Sequence, residues 1–121
     1  MKPVVVEWDA TAHAEYEKLR RAAAEHRPAR SLPTNEQLLA SIDRAIARLK
    51  KDPFCGGLIP RAYLSKKVLA KYGTQKIFRL SLVGYWRLLY TVVGDEARII
   101  AFILEYLDHQ SYDKLFGYEK K

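Results

Sequence analysis

Apolar positions change their spacing along this chain, and each change marks an element. Residues 2–8 hold the β-branched run Val4-Val5-Val6, which predicts a short first strand. From Ala10 the period lengthens. Ala12, Tyr16, Leu19 and Ala23 recur at helical spacing, with Glu15, Lys18, Arg20 and Arg21 between them. That pattern predicts an amphipathic helix over residues 10–25, capped by Asp9 or Thr11. Pro28 and Pro33 break residues 26–33 into a basic connector. Thr34 and Asn35 then offer caps for a second helix, with Glu36 and Gln37 just inside its positive end. Leu38, Ile42, Ala45, Ile46 and Leu49 form the clearest helical stripe in the chain, and Asp52-Pro53 stops it. The two helices are expected to pack as an antiparallel hairpin.

The second half reads mostly as strands. Residues 58–64 suggest a strand interrupted by Pro60, hence an edge or a bulge. Residues 65–72 suggest a short helical turn closed by Gly73. Over 76–83, Phe78, Leu80 and Leu82 alternate with Arg79 and Ser81. Gly84 permits a tight turn. Over 85–93, Trp86, Leu88, Tyr90 and Val92 alternate with Tyr85, Arg87 and Leu89. Gly94-Asp95 turns the chain again, and residues 97–107 are apolar on both faces, as a central strand should be. The aromatic tail, 108–118, is expected to form a last helical turn. The order β-α-α-β-β-β-β plus a tail predicts one α+β domain over residues 1–121. Its sheet should be hairpin-connected and mostly antiparallel, with the helices on one face.

Composition narrows the chemistry. No run approaches the roughly 20 apolar residues that span a bilayer, and the opening residues do not read as a secretory leader. A cytoplasmic protein without membrane contact is expected. Cys55 is the one cysteine, so no internal disulfide is available, and with three histidines it makes no zinc-spaced cluster. It sits in a turn-like stretch with no histidine close in sequence, which favours an inert thiol. Neither a metal nor another cofactor is expected. The formal net charge of +7 suits an anionic partner, whether nucleic acid, a ribosome or an acidic protein. A soluble basic surface with no dedicated partner carries the same charge.

A family resemblance enters between residues 53 and 118, about half of the chain. The stretch Ile77-Phe78-Arg79-Leu80-Ser81-Leu82-Val83-Gly84-Tyr85-Trp86-Arg87-Leu88-Leu89-Tyr90 is similar to the paired strands of the RelE/ParE superfamily, the toxins of type II toxin–antitoxin pairs. There an arginine early in the first strand is followed by a turn and an Arg-x-x-Tyr in the second, which Arg87-Leu88-Leu89-Tyr90 fills. Residues 103–112 resemble the family's last strand and its His-basic-x-x-Tyr ending, through His109 and Tyr112. Gln110 departs from it, standing where many cleaving relatives carry arginine or lysine. The ending Tyr112 to Tyr118 resembles a branch common in archaea.

The resemblance implies a RelE-like fold: an N-terminal strand and a two-helix hairpin on a mostly antiparallel sheet, with a short C-terminal segment. It also implies an antitoxin partner, whose acidic or amphipathic segment wraps the basic face. The implied activity is metal-independent cleavage of messenger RNA at the ribosome. Such a reaction needs a base for the 2′-hydroxyl, cations for the phosphate and an acid for the leaving oxygen. By resemblance, Arg87 stabilises the phosphate and Arg79 assists, since guanidinium binds phosphate bidentately. His109 is the acid or base, being the residue type that exchanges protons nearest neutrality. Tyr112 donates a proton or stacks on a base. Arg61, Lys66 and Lys67 add positive charge for RNA. Each has a plainer reading: Arg79 and Arg87 solvate an exposed face or pair with carboxylates, His109 caps the tail, Tyr112 packs it, and Lys66 and Lys67 are ordinary surface. Two further functions stay open: a ParE-like module that binds DNA gyrase, and a non-catalytic relative that binds antitoxin or nucleic acid.

Overall fold

Capping and burial together fix where the helices begin and how they sit. The structure, a computed structural model, describes residues 2–117. Helix α1 spans Ala10–Ala24, and the Asp9 carboxylate accepts from the Thr11 and Ala12 N–H groups at its start. Helix α2 spans Asn35–Lys51. Its first turn is a reciprocal cap. The Gln37 N–H donates to the Thr34 hydroxyl at 3.1 Å, and the Thr34 N–H donates to the Gln37 side chain at 2.8 Å. The predicted stripe turns inward, with Leu38, Ile42, Ala45 and Leu49 buried. Ser41, buried on the same side, accepts from the Val83 N–H at 2.9 Å and so ties α2 to the sheet.

The sheet has five strands: β1 Val4–Trp8, β2 Gly57–Leu58, β3 Phe78–Ser81, β4 Arg87–Gly94 and β5 Ile99–Leu107. Their spatial order is β1-β5-β4-β3-β2. All neighbours are antiparallel except β1 and β5, which run parallel with Val4 against Ile99. β5 is thus bonded on both sides, the central strand that its mostly apolar sequence predicts.

Three expectations change. The strand expected over 58–64 ends at Leu58. The Ile59 N–H still reaches the Ile77 carbonyl at 2.9 Å, but Pro60 has no N–H to extend the ladder, and a 3-10 turn over Arg61–Tyr63 follows. The tail makes a longer element than one turn. Helix α4 spans His109–Phe116, capped by Asp108 and closed by Gly117 at φ 72°. Tyr118 lies outside the described residues. Nor are all helices on one face. α1 and α2 cover one side of the sheet, whereas α3 (Lys66–Tyr72) and α4 cover the other around Ile59, Val68, Ile77, Leu89, Tyr112 and Phe116. With both faces covered, Leu88 and Tyr90 are buried on one side of β4 and Leu89 on the other, so three successive residues are buried.

Several tyrosine hydroxyls are withdrawn from water, and this sets a pH dependence. Burial, then the 2.6 Å bond to Asp43, pushes Tyr16 up to about 12. Burial pushes Tyr90 and Tyr106 up to about 12 as well. Burial and the bond to Glu105 raise Tyr72. An unfolded tyrosine ionises near 10. Above that pH the unfolded chain releases protons that the folded chain keeps. The stabilisation is therefore complete below about pH 10 and is lost as pH rises towards 12. Urea titrations should show stability falling from about pH 10 upward, with a shallower fall in Tyr72→Phe; a flat profile to about pH 11 would contradict this.

Candidate functional site

Strand register brings the two candidate arginines together. Directly opposed residues of antiparallel strands share a face. Arg79 opposes Leu89 and Ser81 opposes Arg87, so both arginines lie on the Leu89 side, under α4. Gly56, just before β2, lets the chain pass close against β3 and Tyr90. A β-carbon on Gly56 would stand 2.6 Å from the Arg79 carbonyl and 2.7 Å from the Tyr90 hydroxyl.

Helix α4 then delivers Tyr112 between the two cations. The Arg79 guanidinium donates to the Tyr112 hydroxyl at 2.7 Å, and its centre lies 6.0 Å from the ring. The Arg87 guanidinium sits 5.5 Å from the same ring and donates to the Trp86 carbonyl at 3.2 Å. Among the described residues, no carboxylate pairs with Arg87. Two guanidiniums are thus held half-buried on one aromatic ring, which places two positive charges side by side on this face of the sheet. Tyr112 is only 2% exposed, and Phe116 packs against it at 4.9 Å. It is a post for the arginines; a nucleobase has no access to stack on it.

His109 stands three residues earlier on α4, exposed. Its Nε2 lies 3.1 Å from the Asp113 carboxylate, one helical turn along, which fixes the imidazole's orientation. Its other flank meets Tyr85, ring to ring at 5.7 Å. Asp113 and Tyr85 are the residues that sequence reasoning missed. The His-x-x-x-Asp spacing becomes a signal once the tail is a helix of two turns. Tyr85 was assigned to a strand and is instead in the turn before β4.

The remaining candidates lie apart. Arg61 is exposed and donates to the Gln75 side chain. Lys66 and Lys67 are exposed on the first turn of α3. Neither lysine helps its helix, because cations oppose the positive end of the dipole. On the far side of α3, Glu105 accepts from the Tyr72 hydroxyl at 2.6 Å and pairs with Lys71 at 3.3 Å, locking this helix to β5. Glu105 opens onto a groove of about 1210 Å3, walled by α1, the 27–33 connector and the end of β5, with Arg21 and Arg30 along it as well as Asp9, Glu15 and Asp108. Among the described residues no group of three histidine, cysteine or acidic side chains is placed to hold a metal ion.

No protein-family model matches the chain, and no curated protein does. A solved structure does: a YoeB/ParE toxin from Agrobacterium tumefaciens, at a TM-score of 0.53 and 18% sequence identity, over 90% of this chain and 99% of that one. The chain has the RelE/ParE toxin fold. Within that fold the sheet and its C-terminal helix are the elements that carry Arg79, Arg87, His109 and Tyr112. No helix among the described residues is long and apolar enough to cross a membrane.

Proposed function

We propose that the chain is a single-domain cytoplasmic toxin of a type II toxin–antitoxin pair, and that it cleaves messenger RNA at the ribosome without a metal. The pair of guanidiniums on Tyr112, beside an imidazole oriented by a carboxylate, carries this reading. The reaction is a transesterification. The RNA 2′-oxygen bonds to phosphorus, the bond to the 5′-oxygen breaks, and a cyclic phosphate and a 5′-hydroxyl result. Arg87 takes the charge that grows on the phosphate, and Arg79, held by Tyr112, assists. His109 moves a proton, from the attacking hydroxyl or to the leaving oxygen. Asp113 keeps it aimed. Tyr112 acts through the arginines. Arg61, Lys66 and Lys67 extend the positive surface along the RNA. The antitoxin's acidic or amphipathic segment is read as wrapping the protein's basic surface, which the net charge of +7 favours. The tail from Tyr112 to Tyr118 is read as that of the archaeal-type branch.

Gln110 favours a second reading, a ParE-like module that binds gyrase and needs no acid–base pair. Mapping messenger RNA ends in a translating extract, alongside a gyrase supercoiling assay, separates the two. New 5′-hydroxyl ends are the expected result. Intact RNA with inhibited gyrase would replace the ribonuclease by the gyrase module. Intact RNA with active gyrase would leave a non-catalytic binding partner.

A further inference from the structure

The turn between β3 and β4 carries a side chain that its backbone does not ask for. Gly84 and Tyr85 both have φ of 64°, and the Trp86 N–H reaches the Val83 carbonyl at 3.3 Å to close the turn. Two successive positive φ values match the twist of a hairpin, and glycine, asparagine and aspartate normally supply them. Gly84 obeys that rule; Pro33 occupies the place of its absent β-carbon, 2.7 Å away. Tyr85 does not obey it. Its β-carbon strains the left-handed backbone, and its ring remains 70% exposed, so burial does little to offset the strain. The ring meets the His109 imidazole, tilted at 51° with 5.7 Å between centroids. Arg87 follows two residues later. An open aromatic face therefore meets the His109 imidazole and stands two residues from Arg87 along the chain.

We propose that Tyr85 is the stacking platform for a nucleobase, and that it restricts the substrate to unpaired RNA. The proposal rests on the ribonuclease reading above. A nucleotide whose phosphate meets Arg87 has its base close by, and Tyr85 with His109 offers the exposed aromatic surface there. Tyr112 is buried and offers none. Every base has a π-face, so such a platform grips without reading sequence. In a duplex those faces are already stacked on neighbours, so single strands and splayed loops are the substrates that fit.

The test is the affinity of a non-cleavable 2′-O-methyl RNA oligonucleotide, by fluorescence anisotropy, for wild type, Tyr85→Asn and Tyr85→Trp. Asparagine suits the turn, so the variant folds, and its melting midpoint should equal or exceed that of wild type. It should bind about 10-fold more weakly, while Tyr85→Trp binds as wild type does. In a series with one abasic residue walked along the strand, one position should erase the difference between wild type and Tyr85→Asn. Binding by Tyr85→Asn within about twofold of wild type, or a loss unchanged at every abasic position, would overturn the platform. Failure of wild type to bind the oligonucleotide would overturn the platform alone, whereas intact messenger RNA in the translating extract would overturn the ribonuclease reading on which it rests.

Discussion

On the ribonuclease reading proposed above, Arg87→Ala should slow messenger RNA cleavage by about 100-fold or more while the protein stays folded. The expectation follows from what the side chain does and does not touch. Its guanidinium packs on the Tyr112 ring and bonds to one carbonyl, so its removal breaks no ion pair among the described residues. The surrounding apolar residues, Leu89, Tyr112 and Phe116, keep their own packing. Surface and half-buried substitutions of this kind shift stability by less than about 1 kcal/mol. In the proposed reaction, by contrast, the charge that grows on the pentavalent phosphate loses a preorganised donor. Arg87→Lys should recover only part of the rate, because an ammonium supplies charge without the planar fork. Initial rates of end formation, with melting curves beside them, check both statements. A rate for Arg87→Ala within about threefold of wild type would remove Arg87 from the reaction.

Tyr90→Ala should cost about 4 kcal/mol of folding stability, the largest single effect expected outside the site. Tyr90 is 0% exposed in the centre of β4. Its ring stacks on Phe78 at 5.2 Å, and its hydroxyl accepts from the Gly56 N–H at 2.9 Å. Truncation empties a volume that the sheet and α2 cannot close, since β4 is paired on both sides. It also strands the Gly56 N–H. Tyr90→Phe isolates that second loss, at about 1–2 kcal/mol. Set against the roughly 5–15 kcal/mol that holds a domain together, the alanine variant keeps little margin. Urea midpoints give the numbers; a shift of under about 1 kcal/mol in Tyr90→Ala would show that the core collapses around the gap.

The sequence made some of this legible through simple periods. Alternation in β3 and β4 was enough to put Arg79 and Arg87 on one face, because a two-residue period survives a hairpin turn. The stripe on α2 and the all-apolar β5 were equally plain. Other features depend on tertiary facts that no local pattern carries. Leu89 reads as the outward partner of an inward Leu88, yet a second layer of helices buries it. The tail is too short for its own period to declare a helix, and its caps, Asp108 and Gly117, gain meaning only with Tyr112 and Phe116 packed on the sheet. Tyr112 is read as a group that touches substrate through the family resemblance alone; the neighbours that bury it, Ile77 and Leu89 among them, come from parts of the chain far from it in sequence. Tyr85 joined the alternation of β4 by position alone, since tyrosine gives no hint of a left-handed backbone.

Order of synthesis has a bearing on all of this. β1 is made first, yet it bonds only to β5, with Val4 against Ile99 and Trp8 against Ile103. A growing chain therefore carries its row of valines unpaired while α1, α2, β3 and β4 emerge, and a bare apolar edge invites the wrong neighbour. Contacts that close so long a loop also form slowly. His109 and Tyr112 arrive later still, on α4. Until that helix emerges the two arginines have no ring to hold them, and whatever the assembled site can do, the nascent chain cannot.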